Sequence, residues 1–331
     1  MSALTAHFFL GVDGGGTKTH FVLVDAQGHV AGSCEGPSAY HLQIGIEGLH
    51  EALAQGIAAV CDQTAIMPAG VTYAFFGLPA YGEDSAAQPQ LDALPAPLLG
   101  HARYACGNDM VCAWAGSLAG ADGINIVAGT GSGAYGERRG KSARAGGWGE
   151  VFGDEGSAYW IAVQGLNAFT RMSDGRLSRG PLYEHLRTSF GLNEDLDLCA
   201  KTMNAHTRTS IAALAQLVTR AAEDGDSIAA RIFEDAAREL AVAVEAVRRA
   251  LEFEANEAVP LSYSGGVFAA GSLILVPFRR ELAASVRYDI RAPLLAPSLG
   301  AAVYAAKLAG EPLSPAAIER LAGSSKPPFR P

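Results

Sequence analysis

The sequence predicts a mixed α/β protein long enough for two domains. Three observations carry that reading: short apolar runs of strand type, glycine-dense turns that join them, and longer segments with helical spacing. The 331 residues are 49% hydrophobic and 18% charged, enough for a sizeable buried core. Residues 8–25, "FFLGVDGGGTKTHFVLVD", open the pattern. Phe8 to Val12 and Phe21 to Val24 are short and rich in aromatic or β-branched residues, so the segment reads as a β-hairpin. Glycine costs conformational entropy on folding, so Gly14, Gly15 and Gly16 point either to positive φ angles or to a ligand too close for any Cβ. A Walker-A loop is excluded, because Thr17 stands where lysine is needed and a strand follows instead of a helix. The GxGxxG dinucleotide fingerprint fails in register and in the element that follows. Two readings remain. One is an ordinary tight turn; the other is a nest of backbone N–H groups for an anion, with Thr17, Lys18 and Thr19 adding donors and charge.

The next elements repeat this style. "HARYACGNDMVCAWAGSLAG", residues 101–120, reads as a strand ending near Gly107, then Asn108 and Asp109, then a small-residue helix. Asp109 at such a corner is either a helix N-cap or a functional carboxylate. "INIVAGTGSGAYG", residues 124–136, is a second glycine hairpin, with an apolar run from Ile124 to Ala128 before Gly129, Thr130, Gly131, Ser132 and Gly133. "RAGGWGEVFGDEGSAYW", residues 144–160, is a glycine-dense loop carrying Glu150, Asp154 and Glu155 ahead of a helix starting near Ser157. Such loops bind or close over ligands, although Asp154 or Ser157 could serve only as a cap. Residues 227–255 have the periodicity of one long amphipathic helix. "PLSYSGGVFAAG" gives a short strand, then Gly265 and Gly266, then helix formers from Leu273 to Ala284, and a flat ring could approach that backbone. A closing helix over 296–310 precedes a Pro-rich tail from Ser324 that is expected to fray.

Composition narrows the function classes. A formal charge of −9 without a long basic run leaves no electrostatic footprint for nucleic acid and favours a small-molecule role. The N-terminal apolar stretch lacks a basic flank and breaks at its glycines, which argues against a secretory signal or a membrane span and for a cytoplasmic location. Cys34, Cys61, Cys106, Cys112 and Cys199 are scattered, odd in number and free of any CxxC pair, against a disulfide framework or a cysteine zinc site.

With both hairpins, the Asp109 corner and the Gly265–Gly266 turn in hand, the chain resembles the superfamily of sugar kinases, actin and heat-shock chaperone ATPases. Within it, "GVDGGGTKT", "GTGSGA", "GGWGEVFGDEGSAYW" and "SGGVF" look like the N-acetylglucosamine kinase branch. That branch shares a wider family with glucosamine kinases and with ATPases that activate acyl-CoA reductases. The similarity runs from about residue 8 to 310, and "GGWG" followed by "GDEGSAYW" is its most specific part.

The resemblance implies an α/β fold of two ribonuclease-H-like, actin-like ATPase domains around a nucleotide cleft. Residues 1–120 with a C-terminal helix of about 297–331 would form the first domain, and 121–296 the second. It implies that Asp13, Gly14, Gly15, Gly16, Thr17 and Lys18 hold the β- and γ-phosphates of ATP, with Asp13 holding Mg²⁺ through water. Gly129, Thr130, Gly131 and Ser132 would form the second phosphate hairpin, and Ser264, Gly265, Gly266 and Phe268 would face adenosine. Asp109 matches the family's general base. Gly77, Asp109, the stretch Gly147, Trp148, Gly149, Glu150 and Val151, and Asp154 match its sugar contacts. One departure stands out: the family has a sugar-binding asparagine near "GPSAYHLQIG", where this chain has Ser38, Ala39, Tyr40 and His41.

The implied activity is ATP-dependent phosphorylation of the 6-hydroxyl of an amino sugar, N-acetylglucosamine first and glucosamine as the alternative. The implied partners are that small molecule and a second copy in a homodimer, with no nucleic acid and no membrane. Phosphoryl transfer needs the γ-phosphate, metal and acceptor hydroxyl in line and the developing charge stabilised, and hairpin N–H groups with Lys18 answer that need. A reductase-activating ATPase would carry cluster cysteines. Cys106 and Cys112 show no such spacing, and the Gly146–Asp154 loop would be idle. A sugar-sensing repressor would need a basic helix-turn-helix before the first hairpin, and only seven residues precede Phe8.

Overall fold

The computed structural model describes residues 7–203, 207–254, 256–283 and 286–324; the tail beyond Ser324 lies outside them. The chain divides into two compact units, Met1–Asp122 with Ala292–Arg330, and Gly123–Arg291. The first unit opens as an antiparallel meander of β1 (Phe8–Gly14), β2 (Lys18–Asp25) and β3 (Val30–Pro37). There follow α1 (His41–Asp62), β4 (Tyr73–Leu78), α2 (Gln88–Ala93), α3 (Pro95–Leu99), β5 (Tyr104–Asn108) and α4 (Asp109–Leu118). The sheet order is β3-β2-β1-β4-β5, with β1, β4 and β5 parallel. Register pairs Asp13 with Gly77 and Leu78 with Asn108, so the carboxyl ends of the parallel strands bring these residues to one edge. Open α/β sheets bind ligands at that edge.

The second unit repeats the plan. Its strands β6 (Gly123–Ala128), β7 (Ser132–Arg138) and β8 (Lys141–Gly146) form another antiparallel meander. A helical layer comes next: α5 (Ala158–Ser173), α6 (Pro181–Phe190), α7 (Asp197–Met203), α8 (Arg208–Ala213), α9 (Ala215–Glu223) and α10 (Ser227–Ala250). Then β9 (Val259–Ser264), α11 (Ser272–Ala283) and β10 (Tyr288–Arg291) complete a sheet of order β10-β9-β6-β7-β8. Asp226 starts α10 by accepting hydrogen bonds from the Ile228 and Ala229 N–H groups. The helix expected over 227–255 stops at Ala250, because Glu252 turns into left-handed backbone at φ 58° and buried Arg138 takes the carbonyls of Leu251 and Glu252.

The chain returns to the first unit as α12 (Pro297–Leu308) and α13 (Pro315–Ser324). A Cβ at Gly11 would lie 2.4 Å from the Ala302 nitrogen, and one at Gly300 would lie 2.1 Å from the Gly116 nitrogen. Bare glycines therefore let α12 seat directly on β1 and α4. Each unit keeps its own core: Leu10, Val12, Phe76 and Leu53 in the first, Ile124, Ile126, Phe233 and Leu261 in the second.

Candidate active site

In the first unit the site starts at the β1–β2 turn. None of Gly14, Gly15 and Gly16 takes left-handed backbone, which removes the conformational explanation for them. Packing explains two. A Cβ at Gly14 would sit 2.7 Å from the Gly77 carbonyl oxygen, and one at Gly15 2.7 Å from that of Lys18. A Cβ at exposed Gly16 would meet nothing within 4 Å, so packing does not account for its bareness. The flanking donors are partly engaged. Thr17 is exposed, Lys18 Nζ pairs with Glu35 at 2.8 Å, and buried Thr19 donates its hydroxyl to the Pro37 carbonyl at 2.7 Å. The departing segment is fastened to this turn, because Ser38 Oγ and the Ala39 N–H both donate to the Gly15 carbonyl.

Two carboxylates meet beside this hairpin. Asn108 caps α4, its Oδ1 accepting from the Met110 N–H at 3.1 Å, so the cap role weighed for Asp109 belongs to its neighbour. Asp109 is the first helical residue and acts electrostatically on Asp13. Burial, with the Asp109 charge adding to it, pushes the Asp13 carboxyl up to about 8. Cys112 lies beneath the pair; burial and both carboxylates push its thiol well up, which keeps it protonated and suits a donor to the Val12 carbonyl rather than a cluster ligand. Gly77 is buried in β4. A Cβ there would come within 2.1 Å of Cys112 Sγ, so this glycine makes room for the Cys112 thiol beneath the two carboxylates.

In the second unit the β6–β7 turn carries Gly129, exposed Thr130 and Gly131, and buried Ser132 donates to the Glu155 carbonyl at 2.7 Å. The Ala158 N–H donates to the Gly129 carbonyl at 2.8 Å, which ties the turn to the start of α5. Ser157 is the cap of that helix and accepts from the Trp160 N–H. Asp154 has another job. Its side chain is 3% exposed, lies under Gly131, accepts from the backbone of Ser132 and Gly149, and pairs with Arg208 Nη2 at 2.5 Å. Burial raises its carboxyl and Arg208 opposes the rise. Arg208 Nε lies 3.1 Å from Glu150 Oε2, an ion pair without a hydrogen bond, so one guanidinium faces both acids of the loop. Gly147 and Gly149 turn at positive φ, and the same loop leaves Trp148, Val151 and Phe152 at 74, 85 and 76% exposure. One loop thus leaves three large apolar side chains exposed to solvent.

A cavity of about 690 Å³ opens beside the hairpin, lined by Gly129, Thr130, Thr209, Ala213, Gln216 and Gly266 among others. Of the four residues expected to face adenosine, Gly266 lines it directly. Phe268 is instead core: its ring is 3% exposed and packs on Tyr263 and Phe278. Ser264 Oγ accepts from Asn125 Nδ2 at 3.0 Å. Gly265, at φ 98°, brings β9 against the hairpin, since a Cβ there would be 2.4 Å from the Ala128 carbonyl. Sequence reasoning missed the α8–α9 wall and Arg208. The alanines at 212, 213 and 215 were the available signal, because small side chains along one helical stretch leave room for a flat ligand.

Among the described residues, no cluster of three or more His, Cys, Asp or Glu could hold a metal alone. The Asp13–Asp109 pair fits Mg²⁺, which keeps most of its waters and binds through one or two carboxylates plus phosphate oxygens. No helix among the described residues is long and apolar enough to cross a membrane.

Several proteins similar to this chain are named sugar kinases. The chain is 36% identical over 177 residues to an N-acetylmuramic acid/N-acetylglucosamine kinase of Clostridium acetobutylicum, a match covering 53% of this chain and 58% of that relative. It is 29% identical over 314 residues to an N-acetyl-D-glucosamine kinase of Dictyostelium discoideum, covering 91% and 98%. A solved structure from Chromobacterium violaceum, provisionally named an N-acetylglucosamine kinase, superposes with a TM-score of 0.72 at 25% identity, covering 92% of this chain and 99% of that one. A ROK family glucokinase from Streptomyces griseus, solved with glucose and AMPPNP, shares the fold at a TM-score of 0.55 and 19% identity, covering 91% and 99%. The model of the BadF/BadG/BcrA/BcrD ATPase family matches residues 10–305, and the chain belongs to that family.

Proposed function

We propose that this chain is an ATP-dependent kinase that transfers a phosphoryl group to the 6-hydroxyl of an amino sugar, N-acetylglucosamine. The observation that carries the proposal is the carboxylate pair Asp13 and Asp109 at the carboxyl edge of three parallel strands, beside a glycine turn whose Gly16 is open to a ligand. Asp109 accepts the proton of the acceptor hydroxyl as the new bond forms. The N–H groups of the Gly14–Gly16 and Gly129–Ser132 turns are fixed dipoles for phosphate oxygens, and the 690 Å³ cavity takes the nucleoside. Asp13 would hold Mg²⁺, which would supply charge neutralisation for the phosphates. Trp148, Glu150 and Asp154 belong to the acceptor's side: an aromatic face for the ring, and oxygen acceptors that order the loop.

The test is ADP release by purified protein with ATP, Mg²⁺ and a panel of N-acetylglucosamine, glucosamine, N-acetylmuramic acid and glucose. Release should rise with N-acetylglucosamine above all others. Equal release with and without every sugar would overturn the kinase reading, and a higher kcat/KM for glucosamine would move the substrate to its alternative.

A further inference from the structure

The geometry assigns Arg208 as a positioning residue that fixes the acceptor loop to the second glycine turn, and this rests on the kinase reading above. Its guanidinium reaches Asp154 at 2.5 Å and Glu150 at 3.1 Å, two acids of one loop more than fifty positions away in sequence. Both the guanidinium and the Asp154 carboxylate rest on the bare face of Gly131. A Cβ there would lie 2.5 Å from Arg208 Nη2 and 2.7 Å from Asp154 Oδ2. Arg208 is also the first residue of α8, which Thr207 caps by accepting from the Ser210 N–H, and Thr209, Ala212 and Ala213 of that helix line the cavity. One side chain therefore joins the turn, the loop and the cavity wall.

Without Arg208, two carboxylates would stand together beside N–H groups that serve an anion, repelling each other and the phosphates. Asp154 would keep its backbone donors from Ser132 and Gly149, but Glu150 would lose its partner and the Trp148–Phe152 stretch its anchor. Loss of loop order weakens substrate and transition state alike, which raises KM and leaves kcat largely unchanged. Lysine restores the charge but not the planar guanidinium that hydrogen-bonds Asp154 while facing Glu150.

The experiment compares wild type, Arg208→Gln and Arg208→Lys in initial-rate assays with N-acetylglucosamine and ATP varied separately, alongside melting temperature. Arg208→Gln should raise the sugar KM by about tenfold or more while kcat changes by less than about threefold, and Arg208→Lys should recover part of the loss. Should Arg208→Gln fail to fold, Arg208→Lys should still show a sugar KM several-fold above wild type. A sugar KM within about twofold of wild type in a folded variant overturns the role of Arg208. A wild type with no sugar-dependent ADP release overturns the kinase reading instead.

Discussion

Asn108 and Asp109 divide two tasks that one side chain could have held. Asn108 spends its amide oxygen on the helix start, and Asp109 places a second negative charge beside Asp13. The cost falls on Asp13. Its carboxyl rises from the usual 3.8 to about 8, so the folded chain binds this proton more tightly than the unfolded chain does. Stability is therefore greatest below the unfolded value and is lost progressively as pH climbs from about 4 to about 8, where the folded carboxyl finally ionises. Asp13→Asn keeps the neutral form at every pH. The melting temperature of the ligand-free variant should gain on wild type steadily between pH 4 and about pH 8 and level off above, as differential scanning calorimetry can follow. A gap that stays constant over that range would mean that Asp13 is solvated and unstrained.

At the level of elements, both glycine hairpins were legible in the sequence, because glycine runs between β-branched stretches leave few alternatives. The reason for the glycines was only half legible. Positive φ was one of the two expectations for Gly14 to Gly16, yet none of them adopts it and two of them answer to packing from Gly77 and Lys18. Phe268 is expected to face adenosine only through the family resemblance, and its burial against Tyr263 and Phe278 depends on a helix that periodicity alone could not dock. Gly265 and Gly266 separate the two kinds of glycine in one test. Gly265→Ala forces a Cβ against the Ala128 carbonyl at positive φ and should cost about 1–3 kcal/mol of stability. Gly266→Ala meets nothing within 4 Å and should leave the melting temperature near wild type, while its methyl on the cavity wall raises the KM for ATP. Equal losses of stability in both would contradict this distinction.

Over the whole molecule, the sequence displays one plan twice: an antiparallel meander with a glycine turn, two further parallel strands, and helices that cover the sheet. What it hid is long-range. The first unit is closed by α12, almost two hundred positions beyond α4, and Arg208 reaches acids on the far side of three helices in the chain. Such contacts leave no local periodicity to read. The proposed activity is phosphorylation of an amino sugar with Asp109 as the base, and one substitution tests it most directly. Asp109→Asn keeps size and most hydrogen bonding but cannot take a proton, and Asn108 still caps α4. In the N-acetylglucosamine-dependent ADP assay, its kcat should fall by about 10²- to 10⁴-fold. Over the same preparations, melting temperature and sugar affinity should stay close to wild type. A folded Asp109→Asn protein with near-normal kcat would show that another group carries the proton.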